Sequence, residues 1–131
     1  MADVNWLAVI VATVATFVLG GLWYGPLFGK LWMRASGMTD EELKRGNPGK
    51  IFGVSFVLQL IAAIVLAMFI GPEATPAFAT MAGMSVGLFW VGMGFGVVYL
   101  FEHRPFAHWA VNAGYQTVAF TMMGAILGLW R

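Results

Sequence analysis

Residues 51–72 read IFGVSFVLQLIAAIVLAMFIGP and contain no Asp, Glu, Lys or Arg. A helix rises about 1.5 Å per residue, so about 20 apolar residues cross the roughly 30 Å hydrocarbon core of a bilayer. Three other long stretches also lack charged residues, namely 4–29, 74–101 and 105–130. We therefore predict four transmembrane helices, at about 4–23, 51–70, 77–101 and 106–130.

The composition is that of a membrane protein. Of the 131 residues, 60% are apolar and 10% carry a formal charge, against about 45–50% and about 25% in soluble domains. The sequence thus predicts one all-α integral membrane domain over residues 1–131. The absence of cysteine excludes disulfides and thiolate chemistry, and a net charge of +1 argues against nucleic acid as a partner.

The first connection, residues 24–50, is the only long one. Residues 27–34 place apolar side chains on one helical face and cations beside them, which is typical of an amphipathic helix at a membrane surface. A second short helix is predicted from Thr39, because Glu42 completes a capping box and Met38 faces Leu43 as a hydrophobic staple. We expect one or two short helices in this loop.

The positive charges predict the orientation. With four spans, the 24–50 loop and the 102–105 turn lie on the same side and hold six of the seven Lys and Arg residues, and only Arg131 lies opposite. Cytoplasmic loops are enriched in these residues, so both termini are predicted to be periplasmic in a bacterial inner membrane. The residues expected at the inner interface are Trp23, Tyr24, Lys30, Trp32, Arg34, Glu102 and Arg104.

Polar residues inside the predicted spans lie at similar depths. Counted from the inner ends, Thr16, Gln59, Asn112 and Gln116 are roughly 9–15 Å deep, with Tyr115 beside them. Hydrocarbon offers such groups no hydrogen bonds, so they are expected to meet, either in a pocket or as interhelical hydrogen bonds. In particular, Gln59 is expected to contact Asn112 or Gln116, or to share a cavity with one of them.

Small residues recur at helical spacing along spans 3 and 4. Such spacing allows close contact between helices, within one chain or between copies. The candidate packing residues are Gly83, Gly87, Gly92, Gly96, Gly114, Gly124 and Gly128.

Acid and base residues outside the first loop cluster at Glu102, His103, Arg104 and His108. Their spacing does not match a helical pair of metal ligands, so an interfacial turn is favoured and no metal or cofactor is predicted. The serines of the spans, Ser55 and Ser85, have no base at their level, so no catalytic residues are predicted and the protein is expected not to be an enzyme.

Two motifs resemble a bacterial family of four-span membrane proteins, domain-of-unknown-function family 1761. The first covers Leu22 to Met33 and continues to the capping segment that starts at Thr39, and the second covers Leu100 to Pro105 and continues through Asn112-Ala113-Gly114-Tyr115 to Gly124-Ala125-Ile126-Leu127-Gly128. The resemblance implies four spans in a bacterial membrane and no particular activity.

Two functions remain open from the sequence. The first is association in the bilayer, as a homo-oligomer or an accessory subunit of a larger membrane complex. The alternative is permeation or binding of a small solute or ion in the polar pocket.

Overall fold

A computed structural model describes residues 4–38, 41 and 46–130, and within these residues every regular element is helical. In chain order the elements are α1 (Trp6–Leu22), a first π segment (Trp23–Leu27), α2 (Gly29–Ser36), α3 (Pro48–Ile70), α4 (Pro76–Ser85), a second π segment (Val86–Gly92), α5 (Met93–Phe101) and α6 (Phe106–Leu129). The predicted all-α class is confirmed. The capping box and staple built on Thr39, Glu42 and Leu43 lie outside the described residues.

Side-chain caps mark where α1, α3 and α4 begin. The side chain of Asn5 accepts a hydrogen bond from the Ala8 amide, and those of Asn47 and Thr75 do the same for amides three residues further on. Proline follows both Asn47 and Thr75 in the first helical turn, where its missing N–H leaves no bond unmade. Each cap satisfies a backbone donor that a membrane helix cannot leave unpaired.

Each long helix runs antiparallel to the one before it, and α6 lies at the centre of the bundle. At one end of the α1–α6 pair, Asn5 donates to the Trp130 carbonyl, and at the other end Trp23 donates to the Val111 carbonyl. Phe17 of α1 packs edge-on against Phe56 of α3, with ring centroids 5.7 Å apart. By contrast, α3 and α4 scarcely touch each other, and α3 packs mainly on α1 whereas α4 packs mainly on α6.

Three stretches are long and apolar enough to cross a membrane: Trp6–Leu27, Gly49–Ile70 and Pro76–Phe101. Their outer faces carry bare apolar side chains, such as Phe69 at 82% and Trp90 at 73% exposure. The last long helix, α6, has 24 residues but a more polar sequence than these three stretches. Its polar side chains His108 and Asn112 are buried by the other helices. The structure therefore supports a membrane-embedded protein.

Glycines bring the backbones of α4 and α6 into direct contact. A methyl group on Gly83 would overlap the Phe120 carbonyl, and one on Gly124 would overlap the Ala79 carbonyl. The second π segment continues this seam, because a methyl group on Gly87 would come 2.5 Å from the Gln116 carbonyl oxygen. These close approaches are made within one chain.

The other candidate packing glycines face side chains of neighbouring segments. A Cβ on Gly128 would lie 2.7 Å from that of Ala79, and one on Gly92 would be 3.5 Å from that of Ala113. Gly96 faces the Trp109 indole and Gly114 faces the Trp23 ring, at 3.3 and 3.1 Å. The seven predicted glycines therefore all serve contacts inside the bundle.

Two π segments flank the same part of α6. In the first, Pro26 has no N–H to donate, and the chain forms a wider turn in which the Phe28 amide donates to the Trp23 carbonyl over 2.8 Å. The second ends at Gly92, whose carbonyl accepts a 2.8 Å hydrogen bond from the Trp109 indole. The first segment therefore places Trp23 and Tyr24 against the first half of α6, and the second offers a backbone acceptor to Trp109 of α6.

Candidate functional site

The first group of polar side chains links three helices through Tyr115 of α6. The Gln59 amide donates to the Tyr115 hydroxyl over 2.9 Å, and that hydroxyl donates to the Thr16 backbone carbonyl over 2.9 Å. The hydroxyl of Thr16 itself donates to the Thr13 carbonyl and stays within α1. Tyr115 therefore occupies the crossing point of α1, α3 and α6.

The second group surrounds the Asn112 amide. Its oxygen accepts a 2.6 Å hydrogen bond from the Tyr24 hydroxyl, and its nitrogen lies 3.1 Å from the Tyr99 hydroxyl and 3.3 Å from Nε2 of His108. The Tyr99 ring also packs edge-on against the His108 ring, with centroids 4.6 Å apart. We call Tyr24, Tyr99, His108 and Asn112 the amide cluster.

This hydrogen-bond pattern assigns the tautomer of His108. Because Tyr24 donates to the Asn112 oxygen, the Asn112 nitrogen faces Nε2, which must then accept. The ring proton is therefore on Nδ1. Nδ1 is buried and has no partner among the described residues.

A groove of about 560 Å³ runs between α1 and α3 in the half of the bundle nearest the 24–50 loop. We call it the α1–α3 groove. Its walls are apolar, including Phe17, Phe52 and the bare backbone at Gly20 and Gly21. The polar side chains that line it are Tyr24, Ser55, Gln59 and Tyr115, and no described residue in its lining is charged.

The structure brings together part of the predicted pocket. Gln59 and Tyr115 meet and line the groove, whereas Thr16 contributes its backbone and Asn112 belongs to the amide cluster. Gln116 makes no side-chain hydrogen bond within the described part of the chain, and neither it nor Asn112 lines the groove. The predicted contact of Gln59 with Asn112 or Gln116 is wrong, because similar depth does not place two side chains on facing sides of their helices.

Three residues of the site were not assigned to it by sequence reasoning. Tyr24 and Tyr99 carry the hydroxyls that bind Asn112, although aromatic residues at span ends predict membrane anchors. His108 was grouped with the 102–104 turn, yet it is buried against Tyr99. The signal that could have found them is the buried amide itself, which needs donors and acceptors from neighbouring helices.

Several predicted interfacial residues make specific contacts. Trp23 donates its indole N–H to the Val111 carbonyl over 2.9 Å, and Trp32 packs edge-on against Tyr24 at 5.9 Å. Glu102 and Arg104 form an ion pair of 3.3 Å, whereas Lys30 and Arg34 are exposed on α2.

The site offers hydrogen-bonding chemistry without charge. Its groups are amides, tyrosine hydroxyls and one imidazole, and among the described residues no cluster of His, Asp and Glu is suited to a metal ion. An amide and a hydroxyl at the wall of an apolar groove orient a bound molecule by hydrogen bonds, as small-ligand sites generally do.

Comparison with known proteins gives a family match and no functional relative. The family model described as "Protein of unknown function (DUF1761)" matches residues 7–128. This range includes both motifs on which the resemblance rests, so the resemblance is confirmed. No curated protein and no solved structure matches the chain.

Proposed function

The chain belongs to the DUF1761 family of proteins of unknown function, and we propose from its geometry that it is a non-enzymatic membrane protein that binds a small uncharged amphiphile in the α1–α3 groove. The observation that carries this proposal is Gln59. Only one of its amide N–H groups is used, by Tyr115, and its carbonyl oxygen has no partner among the described residues. A ligand with a hydrogen-bond donor satisfies that oxygen, which hydrocarbon does not.

The lining of the groove supports an amphiphile over an ion. Phe17, Ile51 and Phe52 suit the apolar part of a ligand, and Gln59 with Ser55 suits a hydroxyl or amide group. A permeating cation requires carboxylates or rings of carbonyl oxygens. The described lining contains no carboxylate, so binding is favoured over permeation.

The proposal includes four spans in a bacterial inner membrane, with α6 as the fourth span and both termini periplasmic. The antiparallel packing of consecutive long helices supports it, as does the concentration of Lys and Arg in the 24–50 loop. We expect a periplasm-dependent reporter to be inactive when fused at Lys44 and active when fused at Arg131. A reporter that is active at Lys44 and inactive at Arg131 would show that the orientation is the reverse of the one proposed.

Gln59→Leu is expected to abolish ligand retention without unfolding the protein. The change removes the free amide oxygen, while Tyr115 keeps its bond to the Thr16 carbonyl. Native mass spectrometry of gently extracted protein measures the bound ligand as an added mass. Gln116→Leu makes the same chemical change outside the groove and is the matched control. A wild-type protein with no added mass, or an added mass retained by Gln59→Leu, contradicts the proposal.

Association is the second candidate, as a homo-oligomer or as an accessory subunit. The weak contact between α3 and α4 favours it, because it leaves that side of the bundle open to a helix of another chain. The packing glycines give it no support, since they are used within the chain. A native gel after mild extraction separates the two functions. Migration as a homo-oligomer or with a large assembly supports association, and migration as a monomer supports ligand binding alone.

A further inference from the structure

A second groove, of about 350 Å³, lies between α5 and α6 on a different side of the bundle. Its deep end is at Gly96, its walls are the side chains of Leu100, Phe106 and Trp109, and Arg104 lies at its mouth. We call it the Arg104 groove. The single polar group of Trp109 donates to the Gly92 carbonyl, so that residue presents an apolar ring surface.

The position of Arg104 along the chain corresponds to a membrane surface. The turn 102–104 separates two charge-free stretches, 74–101 and 105–130, which form α4, α5 and α6. A groove that begins at this turn and continues along α5 to Gly96 therefore extends from the headgroup layer toward the hydrocarbon.

The Arg104 guanidinium is held in place with donors to spare. Its Nε–H donates to Oε1 of Glu102 over 3.3 Å, and Nη1 donates to the Ser36 carbonyl over 3.1 Å. An arginine has five N–H donors, so three are free of partners among the described residues. The side chain is 41% exposed, so a ligand can reach them.

We propose that the Arg104 groove binds an anionic phospholipid of the inner leaflet, with the phosphate on Arg104 and an acyl chain along the apolar walls. A guanidinium fits a phosphate through two parallel hydrogen bonds. The apolar walls beyond Arg104 suit a chain and offer nothing to a free anion, which favours a lipid over inorganic phosphate. This proposal does not depend on a ligand in the α1–α3 groove.

Native mass spectrometry of the full-length protein with added phosphatidylglycerol or phosphatidylcholine of the same acyl chains tests the proposal. We expect about a tenfold preference for phosphatidylglycerol, and Arg104→Gln to remove it. Both lipids carry the phosphate, but the quaternary ammonium of phosphatidylcholine cancels its charge and is repelled by the Arg104 guanidinium. Arg34→Gln removes a cation of α2 that does not line the groove and should keep the preference. Gln59→Leu should also keep the preference for phosphatidylglycerol. The test of the Arg104 groove is therefore independent of whether the α1–α3 groove binds a ligand.

Glu102→Gln is expected to change the retention of phosphatidylglycerol in the opposite direction to Arg104→Gln. It removes the carboxylate that competes for the Arg104 guanidinium, so retention of phosphatidylglycerol should increase. This variant keeps the proposal testable even where Arg104→Gln fails to fold. Equal retention of the two lipids by the wild type, equal losses in Arg104→Gln and Arg34→Gln, or displacement of the lipid by millimolar inorganic phosphate would each overturn the proposal.

Discussion

Gly83→Ala is expected to prevent the bundle from packing, whereas Gly94→Ala, eleven residues further along the same predicted span, is expected to leave it intact. A methyl group on Gly83 overlaps the backbone carbonyl of Phe120, and the reciprocal contact joins Gly124 to the Ala79 carbonyl. A flexible side chain could move aside, but a helix backbone moves only if the two helices separate. We therefore expect a loss at or above the upper end of the about 1–3 kcal/mol typical of overpacked cores.

The control rests on the open space at Gly94. Outside the adjoining backbone of its own helix, no described atom lies within 4 Å of a Cβ built there. Alanine therefore causes no overlap and gains about 0.5–1 kcal/mol through its greater helix propensity. Thermal unfolding in detergent, followed by size-exclusion chromatography, measures both changes. Equal melting temperatures for Gly83→Ala and Gly94→Ala would show that α4 and α6 lie farther apart than the structure places them.

The sequence predicts the helices better than it predicts their neighbours. The length of the charge-free stretches places the helices to within a few residues, because in lipid the backbone must make its hydrogen bonds within the helix. The central position of α6 also has a sequence signal, since the most polar of the long helices has the most to gain from burial. Chain order alone wrongly suggests close contact between α3 and α4, which scarcely touch.

The candidate site is only half predictable, for a reason of helix geometry. The depth of a side chain in the membrane follows from counting residues along its helix, and this depth correctly grouped Gln59 with Tyr115. Rotation about the helix axis does not follow when the chain contains π segments, because the extra residue in a π turn changes the direction of every later side chain. Tyr24 lies within one such segment and Tyr99 follows the other, and neither was expected to bind Asn112.

Asn112→Leu is expected to be the most destabilising exchange of a polar side chain in the bundle. It removes the partner of three groups at once: the hydroxyls of Tyr24 and Tyr99, and Nε2 of His108. A single interhelical hydrogen bond in a membrane contributes only about 0.6 kcal/mol on average. Each buried group left unpaired costs about 1–3 kcal/mol, so the unpaired groups, and not the lost attraction, decide the size of the effect.

Gln116→Leu is the matched control, one helical turn further along α6. It deletes an amide that makes no side-chain hydrogen bond among the described residues, so we expect a change within about 0.5 kcal/mol, or a small gain. Asn112→Leu should instead lose about 2–5 kcal/mol, because the tyrosines come from the first π segment and α5 and cannot both find new partners in lipid. Chemical denaturation in mixed micelles measures both variants against the wild type. If the two leucine variants unfold together, the amide cluster does not hold the first π segment and α5 to α6.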